Sequence, residues 1–463
     1  MHPCLATCRM PQGGVVNFFS HGCRWSSGGS GKESLAPAPA ASEVNHMEPR
    51  KCILLIMDGL GDKPILDLDG RTPLEAARTP HFDELATRGA CGIMDVVEPG
   101  MPVGSDIAHL LIFGYTREDY PGRGPLEALG VGMELQPGDV ALRGNLANID
   151  QGMNIIDRRA GRRIPEAGEI ITILNNMVEE SGGIEGVKVE FRHSTEQRVA
   201  CVLRGPGISH CISDTNPNRD YVPVAECKPL DDSPEARKTA RVINNLTKKI
   251  YESLKDNPIN KQRKAKGQPQ VNCILTHGAG MIQSVPSFQE KFHVRAACVT
   301  GNGVIRGVCR YLGINVMPCP GATGTINTDL EAKIETLLQS LQKVDIGILH
   351  IKATDSSGHD NKPFQKKEFL ENIDSIVGHG LVSGVDWEDT CAVITADHST
   401  PCENADHSGD PVPVLIVGKN IIHDEVRSLG ERSCAGGYLG RISSHSLMNM
   451  ILNRLGRQKK FGA

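Results

Sequence analysis

Three apolar segments of this chain are followed by aspartate, and they restrict its fold more than any other feature. Residues 52–57, 346–351 and 391–395 are almost continuously apolar, and the residues that follow them are rich in Asp, His and Gly. Such runs are typical of buried parallel strands, whose carboxyl ends meet at one edge of an α/β sheet. The sequence therefore predicts an α/β fold with a mostly parallel sheet and a polar site at that edge.

The polar residues after these runs have the chemistry of metal ligands. The candidate ligands are Asp58, Asp355, His359, Asp397, His398 and His407. An aspartate after a strand often only caps the next helix, and a single histidine is usually an ordinary hydrogen-bonded residue. Six carboxylate and imidazole groups at neighbouring strand ends, two of them with Asp-x-x-x-His spacing, instead favour a metal site.

Composition argues against several other classes of protein. The chain has 463 residues, enough for two or three domains, and a net charge of −5 with Lys and Arg scattered along it. This charge gives no footprint for nucleic acid or a membrane surface, and no apolar run approaches the length of a transmembrane helix. The 15 cysteines form no Cys-x-x-Cys pair, which indicates reduced thiols in a cytosol-like compartment. We therefore expect a cytoplasmic protein.

Residues 1–49 differ from the rest of the chain. They are rich in Ser, Gly, Ala and Pro and contain no acidic residue before Glu33. This composition fits a disordered extension, with Met47 as an alternative start. It also fits an organellar targeting segment, although Gly and Pro would interrupt the amphipathic helix of a transit peptide. Both interpretations stay open.

Ser105 lies in a Gly-Ser-Asp segment ahead of an apolar helical run. An isolated serine in this position is usually a helix N-cap. A serine at a helix N-terminus can also be a nucleophile whose phosphorylated form is stabilised by backbone N–H groups, the helix dipole and a metal ion. Because six candidate metal ligands accompany it, we favour the nucleophile.

Several segments, in the same order, resemble the cofactor-independent phosphoglycerate mutases, and more narrowly their archaeal-type branch within the alkaline phosphatase superfamily. These segments are residues 57–62, 104–106, 122–130, 354–359, 396–401 and 407–413. The resemblance covers the chain from about residue 51 to about residue 455. It implies an alkaline-phosphatase-like metal-binding α/β domain over residues 50–121 and 289–458, interrupted by an inserted second α/β domain over residues 122–288 that binds the substrate.

The resemblance also implies an activity: interconversion of 3-phosphoglycerate and 2-phosphoglycerate in glycolysis and gluconeogenesis, through a phosphoserine at Ser105 and without 2,3-bisphosphoglycerate. Two divalent ions are implied. One set of ligands is Asp58, Ser105, Asp397 and His398, and the other is Asp355, His359 and His407. Mixed carboxylate and imidazole ligands favour Mn²⁺, with Mg²⁺, Co²⁺ or Zn²⁺ as alternatives.

Two other functions stay open. A metal-dependent phosphatase or another phosphomutase would share the metal ligands and the serine, and would differ in the inserted domain. A non-catalytic metal-binding scaffold is the alternative from another class, and Ser105 argues against it because a scaffold needs no nucleophile. The expected partner is a small-molecule substrate, and the sequence leaves the oligomeric state open.

The segment between the first and second phosphatase-like parts supplies candidate anion-binding residues. Asp157 and Arg158 are similar to the Asp-Arg pair with which these mutases bind glycerate, and Asp157 is the candidate for proton transfer between the glycerate hydroxyls. The further candidates are Arg143, Asn145, Arg192, His193 and Arg198. A planar guanidinium suits a carboxylate or phosphate because it can form two parallel hydrogen bonds. Members of the archaeal-type branch often have Arg at the position of His277, so the role of His277 stays open.

The remaining patterns predict strands alternating with helices, which favours a mostly parallel sheet in the inserted domain as well. The Gly-rich residues 320–325 lack the Lys-Ser/Thr ending of a P-loop and indicate a tight connection. We expect helices over residues 72–85, 233–254 and 296–311, and a polar surface loop over residues 255–270.

Overall fold

The computed structural model describes residues 49–460 and 462. The extension expected over residues 1–49 therefore lies outside the described residues, apart from Pro49. Within the described ranges all twelve cysteines are free thiols, as predicted. None of the helices described there is both long and apolar enough to cross a membrane.

The strands, in chain order, are β1 (Lys51–Met57), β2 (Gly89–Asp95), β3 (Val140–Ile149), β4 (Ile155–Asp157), β5 (Lys188–His193), β6 (Arg198–Arg204), β7 (Cys273–Gly280), β8 (Ala296–Val299), β9 (Asn315–Val316), β10 (Ile346–Ile351), β11 (Thr390–Thr395), β12 (Val412–Val417) and β13 (Gly440–Ser443).

The α-helices are α1 (Pro73–Ala76), α2 (Pro80–Thr87), α3 (Ser105–Ile112), α4 (Arg123–Gly130), α5 (Ala167–Glu180), α6 (Pro234–Leu254), α7 (Pro258–Ala265), α8 (Phe288–Phe292), α9 (Gly303–Tyr311), α10 (Leu330–Ser340), α11 (Ala353–His359), α12 (Pro363–Ile373), α13 (His379–Gly384), α14 (Glu431–Ala435) and α15 (Ser444–Arg454).

The larger sheet has eight strands in the order β13-β2-β12-β11-β1-β10-β8-β9. Strand β12 runs antiparallel to both of its neighbours, and the other pairs are parallel, so the predicted mostly parallel sheet is confirmed. Strands β11, β1 and β10 lie side by side at its centre and are almost wholly buried, as their continuous apolar sequences predict. Their carboxyl ends consequently open at the same edge.

The smaller sheet has five strands, all taken from residues 140–280. Every pairing in it is antiparallel: β3 pairs with β4, β6 and β7, and β5 pairs with β6. The expectation of a mostly parallel sheet in this segment was therefore wrong. Strands β5 and β6 follow each other after a short turn, and a short connection of this kind joins antiparallel strands.

Helix α4 lies between the two sheets. It packs on β3 of the smaller sheet and on α9, which flanks the larger one. The contact with α9 is very close, since a Cβ on Gly307 would lie 1.8 Å from the carbonyl oxygen of Leu126. Only glycine allows this approach, which fixes α4 and the smaller sheet beside the larger sheet.

Three local predictions were wrong in detail. Residues 72–85 form two helices, α1 and α2, because Pro80 restricts the preceding residue and starts the second one. Residues 255–270 contain α7, which Asn257 caps and Pro258 begins, the usual helix-start pair. The expected helix over residues 296–311 starts at Gly303, because the short apolar run Ala296–Val299 is strand β8. The long helix over residues 233–254 is confirmed as α6, with Ser233 as its N-cap.

Candidate metal centre and active site

The carboxyl ends of the three central strands bring three aspartates together. Asp58 directly follows β1, and Asp397 follows β11. Asp355 lies on α11, which begins two residues after β10 ends, and His359 lies one turn further along the same helix. The aspartates are 0–2% exposed. Three carboxylates buried at one sheet edge need compensating positive charge.

The three predicted imidazole ligands are oriented in the same way. The Nδ1 of His359 lies 3.0 Å from the carbonyl oxygen of Ala405, and the Nδ1 of His407 lies 2.7 Å from that of Val103. A carbonyl only accepts, so each Nδ1 carries the proton and each Nε2 presents a lone pair.

His398 has the same tautomer. Its Nδ1 lies 3.1 Å from the hydroxyl oxygen of Thr400, whose own proton is donated to Asp355 Oδ1 at 2.8 Å. The Nδ1–H of His398 therefore donates to Thr400, and its Nε2 presents a lone pair. An imidazole whose outer N–H is held by an oxygen is the usual arrangement of a histidine metal ligand.

One group of ligand atoms consists of Asp355 Oδ1 and the Nε2 atoms of His359 and His407. The two Nε2 atoms are 3.1 Å apart, and Asp355 Oδ1 lies 3.2 Å from that of His407 and 3.4 Å from that of His359. Two facing nitrogen lone pairs at this distance repel each other unless a cation lies between them. The donor set and its geometry thus fit a divalent ion.

A second group surrounds His398 Nε2. Ser105 Oγ lies 3.1 Å away, Asp397 Oδ2 3.3 Å and Asp58 Oδ1 3.5 Å. Asp397 Oδ2 is fully buried without a hydrogen-bond partner, which would be costly for a carboxylate oxygen in the absence of a cation. Asp355 reaches this group as well, since it forms a candidate ligand set with Asp58 and His398. The two groups are therefore contiguous.

The pKa values of the two deepest aspartates differ in direction. Burial, and then the neighbouring Asp397, raise the pKa of Asp58 to about 6. Burial also acts to raise the pKa of Asp397, but electrostatic attraction to His398, His109 and Lys352 outweighs it and lowers that pKa to about 2. The carboxylates repel one another and are stabilised by nearby cationic groups, as expected of a metal-binding cluster.

Ser105 is the first residue of α3, and Gly104 occupies the N-cap position. The serine side chain makes no capping hydrogen bond and instead faces His398, so the N-cap interpretation does not describe it. One turn later, the Nδ1–H of His109 donates to the Ser105 carbonyl at 2.7 Å. The hydroxyl is thus held at a helix N-terminus and directed into the ligand cluster, as a nucleophile requires.

Gly59 allows the first ligand loop to close on the others. Its φ of +66° favours glycine, and a Cβ there would lie 2.5 Å from Thr400 Oγ1 and 2.6 Å from Asp355 Cβ. Its N–H donates to Asp397 Oδ1 at 3.1 Å. The Asp-Gly sequence after β1 therefore brings the three ligand segments into contact.

The smaller sheet carries a cationic face. Cross-strand pairing places Asn145 opposite Arg198 and Arg143 opposite His277, on the same face of β3, β6 and β7. Four buried polar atoms on this face make no hydrogen bond within the protein: the Nε atoms of Arg143 and Arg198, the Asn145 side-chain oxygen and His277 Nε2. Burial lowers the pKa of Arg143 to about 10, and the charges of Arg123 and Arg198 contribute. Such groups suit an anionic ligand.

Arg123, on α4, connects this face with the serine. Its guanidinium lies 3.3 Å from a carboxylate oxygen of Asp106, the residue after Ser105. On its other side it lies 3.5 Å from Glu127, which in turn lies 3.4 Å from Arg143. A continuous row of charged groups therefore runs from the nucleophile to the cationic face.

His277 is neutral in this environment. Burial, followed by the charges of Arg143, Arg123 and Arg198, lowers its pKa to about 3. It can accept or donate one hydrogen bond, whereas an arginine would add a full positive charge.

The other predicted substrate residues lie in different surroundings. Arg192 shares the cationic face, but it is exposed and its guanidinium donates to the Gly132 carbonyl at 2.8 Å and contacts Glu190. His193 points to the opposite face, and its Nε2 lies 2.9 Å from the Glu196 carbonyl. Arg192 thus lies on the face of Arg143 with its guanidinium already bound, whereas His193 faces away, and a substrate role for either residue stays a prediction.

Asp157 and Arg158 lie at the end of β4. The carboxylate of Asp157 accepts the backbone N–H groups of Arg159 at 2.8 Å and Gly161 at 2.7 Å, which fixes its orientation. The backbone N–H of Arg158 donates to Asp220, and its guanidinium has no ion-pair partner among the residues that the structure describes. Arg158 thus remains free for a ligand.

Sequence reasoning missed several residues of the site. They are His109, Arg123, His350, Lys352 and Thr400. Two signals were present in the sequence. His109 lies four residues after Ser105, on the same predicted helix, and His350 and Lys352 are polar residues at the end of an otherwise apolar strand. The position of Arg123 depends on α4 packing between the sheets, which no local pattern predicts.

An α/β fold with a helix-terminal serine facing two contiguous sets of candidate metal ligands is typical of a class of metal-dependent enzymes. Comparison with known proteins identifies the family. Residues 86–260 match the model of the family described as 2,3-bisphosphoglycerate-independent phosphoglycerate mutase. A mutase of that name from Ignicoccus hospitalis is 47% identical over 422 residues, covering 90% of this chain and 100% of the relative, and one from Methanocaldococcus jannaschii is 43% identical over 420 residues with the same coverage.

Solved structures agree. A protein from Pyrococcus horikoshii superposes with a TM-score of 0.77 at 36% identity, covering 90% of this chain and 100% of that protein. A cofactor-independent phosphoglycerate mutase from Thermoplasma acidophilum gives a TM-score of 0.64 at 33% identity, covering 89% of this chain and 100% of that protein. The chain belongs to the family of 2,3-bisphosphoglycerate-independent phosphoglycerate mutases, and the resemblance found in its motifs is confirmed.

Proposed function

We propose that this protein interconverts 3-phosphoglycerate and 2-phosphoglycerate in glycolysis and gluconeogenesis, without 2,3-bisphosphoglycerate. The observation that carries the proposal is the position of the Ser105 hydroxyl, 3.1 Å from His398 Nε2 and connected through Asp106 and Arg123 to the cationic face of the smaller sheet. A phosphoryl acceptor and a binding surface for a second anionic group are what an intramolecular transfer requires. A cytoplasmic location remains a prediction.

Two divalent ions are part of the proposal. Asp58, Ser105, Asp397 and His398 would hold one, and Asp355, His359 and His407 the other, with Asp355 reaching both sets. We propose Mn²⁺ because the ligands mix carboxylate with imidazole. When bound, such ions lower the pKa of a serine hydroxyl and neutralise charge on a phosphoryl group.

The protein residues then act in two steps. Ser105 Oγ, as alkoxide, forms a bond to phosphorus while the bond to the 3-oxygen of glycerate breaks. The Asp157 carboxylate takes the proton of the 2-hydroxyl and passes it to the 3-oxygen. Glycerate stays bound to Arg143, Asn145, Arg158 and Arg198. Its deprotonated 2-oxygen then attacks the phosphoserine, which regenerates the Ser105 alkoxide.

Glycerate must remain bound and water must be excluded between these steps. We propose that residues 122–288, which contain the whole smaller sheet, are an inserted substrate-binding domain, and that residues 50–121 and 289–458 form the metal-binding domain. The separate hydrophobic cores of the two sheets support this division.

The test is an enolase-coupled assay that detects 2-phosphoglycerate made from 3-phosphoglycerate by the Mn²⁺-loaded protein. We expect turnover that 2,3-bisphosphoglycerate does not increase. Release of inorganic phosphate without 2-phosphoglycerate would identify a phosphatase instead.

A further inference from the structure

Lys352 follows β10 directly and lies among the ligand residues, although no feature of the proposed mechanism uses it. Its Nζ donates to Asp58 Oδ1 at 3.1 Å and also to Asp355 Oδ2. These two carboxylates belong to different candidate metal sets. The ammonium group of Lys352 therefore bridges the two halves of the centre.

The environment of Lys352 keeps this ammonium in place. Its side chain is 21% exposed, and its aliphatic part lies beside the Gly-rich residues 320–325, where a Cβ on Gly324 would be 3.5 Å from Lys352 Cγ. The turn therefore packs against the lysine stem and limits its movement. A lysine held this way loses little side-chain entropy when it binds a ligand.

His350 decides which oxygen of Asp58 faces the lysine. Its Nε2 lies 3.0 Å from Asp58 Oδ2, while its Nδ1 lies 3.0 Å from the Thr300 hydroxyl. With Oδ2 occupied by His350, Oδ1 is the oxygen that faces both Lys352 and His398 Nε2, which contacts Ser105 Oγ. Lys352 is thus connected to the Ser105 hydroxyl through two groups, Asp58 Oδ1 and the imidazole of His398.

An ammonium has three N–H donors, and Lys352 hydrogen-bonds to two acceptors among the described residues. The third N–H has no acceptor among the described residues. The inference rests on the proposed function. We propose that Lys352 is a further catalytic residue, whose third N–H donates a hydrogen bond to the phosphoryl group as that group passes to and from Ser105. A fixed cation there stabilises the charge of a phosphoryl group in transit.

The test separates oxyanion binding from metal binding. Mn²⁺ affinity and then the affinity of the Mn²⁺-loaded protein for inorganic phosphate are measured by calorimetry for the wild type, Lys352→Met and Lys352→Arg. Lys362→Met, which removes an exposed lysine seven residues after Asp355, is the control. We expect phosphate to bind at least about tenfold more weakly to Lys352→Met. We expect the Mn²⁺ affinity of that variant to be unchanged or higher, because a competing positive charge is lost.

Partial recovery of phosphate binding in Lys352→Arg would support the contact. An unchanged phosphate affinity in Lys352→Met would overturn the proposal, and so would a Mn²⁺ affinity that falls in parallel, since the lysine would then only position the carboxylates. If Lys352→Met does not fold, Lys352→Gln is judged by the same two affinities. Phosphate binding needs no turnover, so an absence of mutase activity in the wild type would refute the proposed function and leave this result independent.

Discussion

At the scale of single residues, the Ser105 oxygen decides between a covalent mechanism and simple metal binding. Ser105→Ala should lower mutase turnover at least about a thousandfold, because the phosphoryl acceptor is lost. The Mn²⁺ content should stay close to that of the wild type, since the six Asp and His ligands remain. Acid quenching of the wild type during turnover should yield a phosphorylated peptide that contains Ser105. Normal isomerisation by the alanine variant would refute the phosphoserine.

His277 gives a prediction about pH. Its pKa is about 3 in the folded protein and about 6.5 in an unfolded chain, so the unfolded state takes up a proton that the folded state does not as the pH falls below about 6.5. His277 therefore costs stability on acidification. The wild type should lose about 1–2 kcal/mol relative to His277→Gln between pH 7 and pH 5. Urea denaturation of both proteins at several pH values measures the difference, and parallel curves would contradict a buried neutral imidazole.

At the scale of elements, helix α12 contacts the loops after β1 and β11 that carry the candidate ligands. The Nζ of Lys366 is fully buried and lies 2.8 Å from Asp62 Oδ2, and it also donates to the carbonyls of Gly61 and Thr400. Thr400 orients both His398 and Asp355. The helix thus fixes the loops after β1 and β11 to each other.

Removal of this buried ion pair should be costly. Lys366→Met leaves Asp62 without its charged partner and should lower the free energy of unfolding by about 3–5 kcal/mol. Lys367→Met, one residue further along, removes a partly exposed pair with Glu371 and should cost less than about 1 kcal/mol. Urea midpoints of the two variants make the comparison. Equal effects would mean that burial of Lys366 does not matter.

The elements show what a sequence can and cannot predict. Strands β1, β10 and β11 were predicted because a buried parallel strand must be apolar along its length, and their adjacency brought the predicted ligands together. The pairing direction of the smaller sheet was predicted wrongly, because strand direction depends on distant partners and leaves no local pattern. Arg143 and Arg198 could be proposed from their residue type, but the direction of His193 depends on sheet register, and the contact that holds Arg192 depends on its neighbour Gly132.

At the scale of the whole molecule, metal binding should couple to stability as well as to activity. Chelation should abolish turnover, and Mn²⁺ or Co²⁺ should restore it. Because ions bind the folded protein, Mn²⁺ should also stabilise it by about 3 kcal/mol for each of the two sites at a hundred times the dissociation constant of that site. Thermal unfolding with and without Mn²⁺ measures this. Full turnover in a chelated sample that elemental analysis shows to be metal-free would exclude a metal-dependent enzyme.

The two sheets together should determine whether the phosphoryl group returns to glycerate or is lost to water. Arg198 Nε is buried and unpartnered on the cationic face, whereas the guanidinium of Arg192 on the same face is already held by Gly132 and Glu190. Arg198→Met should weaken the hold on glycerate and lower catalytic efficiency by about 2–5 kcal/mol of transition-state binding.

Arg192→Met is the matched control. It should change catalytic efficiency by less than about threefold, because the Arg192 guanidinium is exposed and already bonded to Gly132 and Glu190. With glycerate held less firmly, water can reach the phosphoserine, so Arg198→Met should also release more inorganic phosphate per molecule of 2-phosphoglycerate. Both products are measured side by side in the two variants. The same product ratio in Arg198→Met as in the wild type would remove Arg198 from the glycerate site, and a large effect of Arg192→Met would show that its surface contacts open when substrate binds.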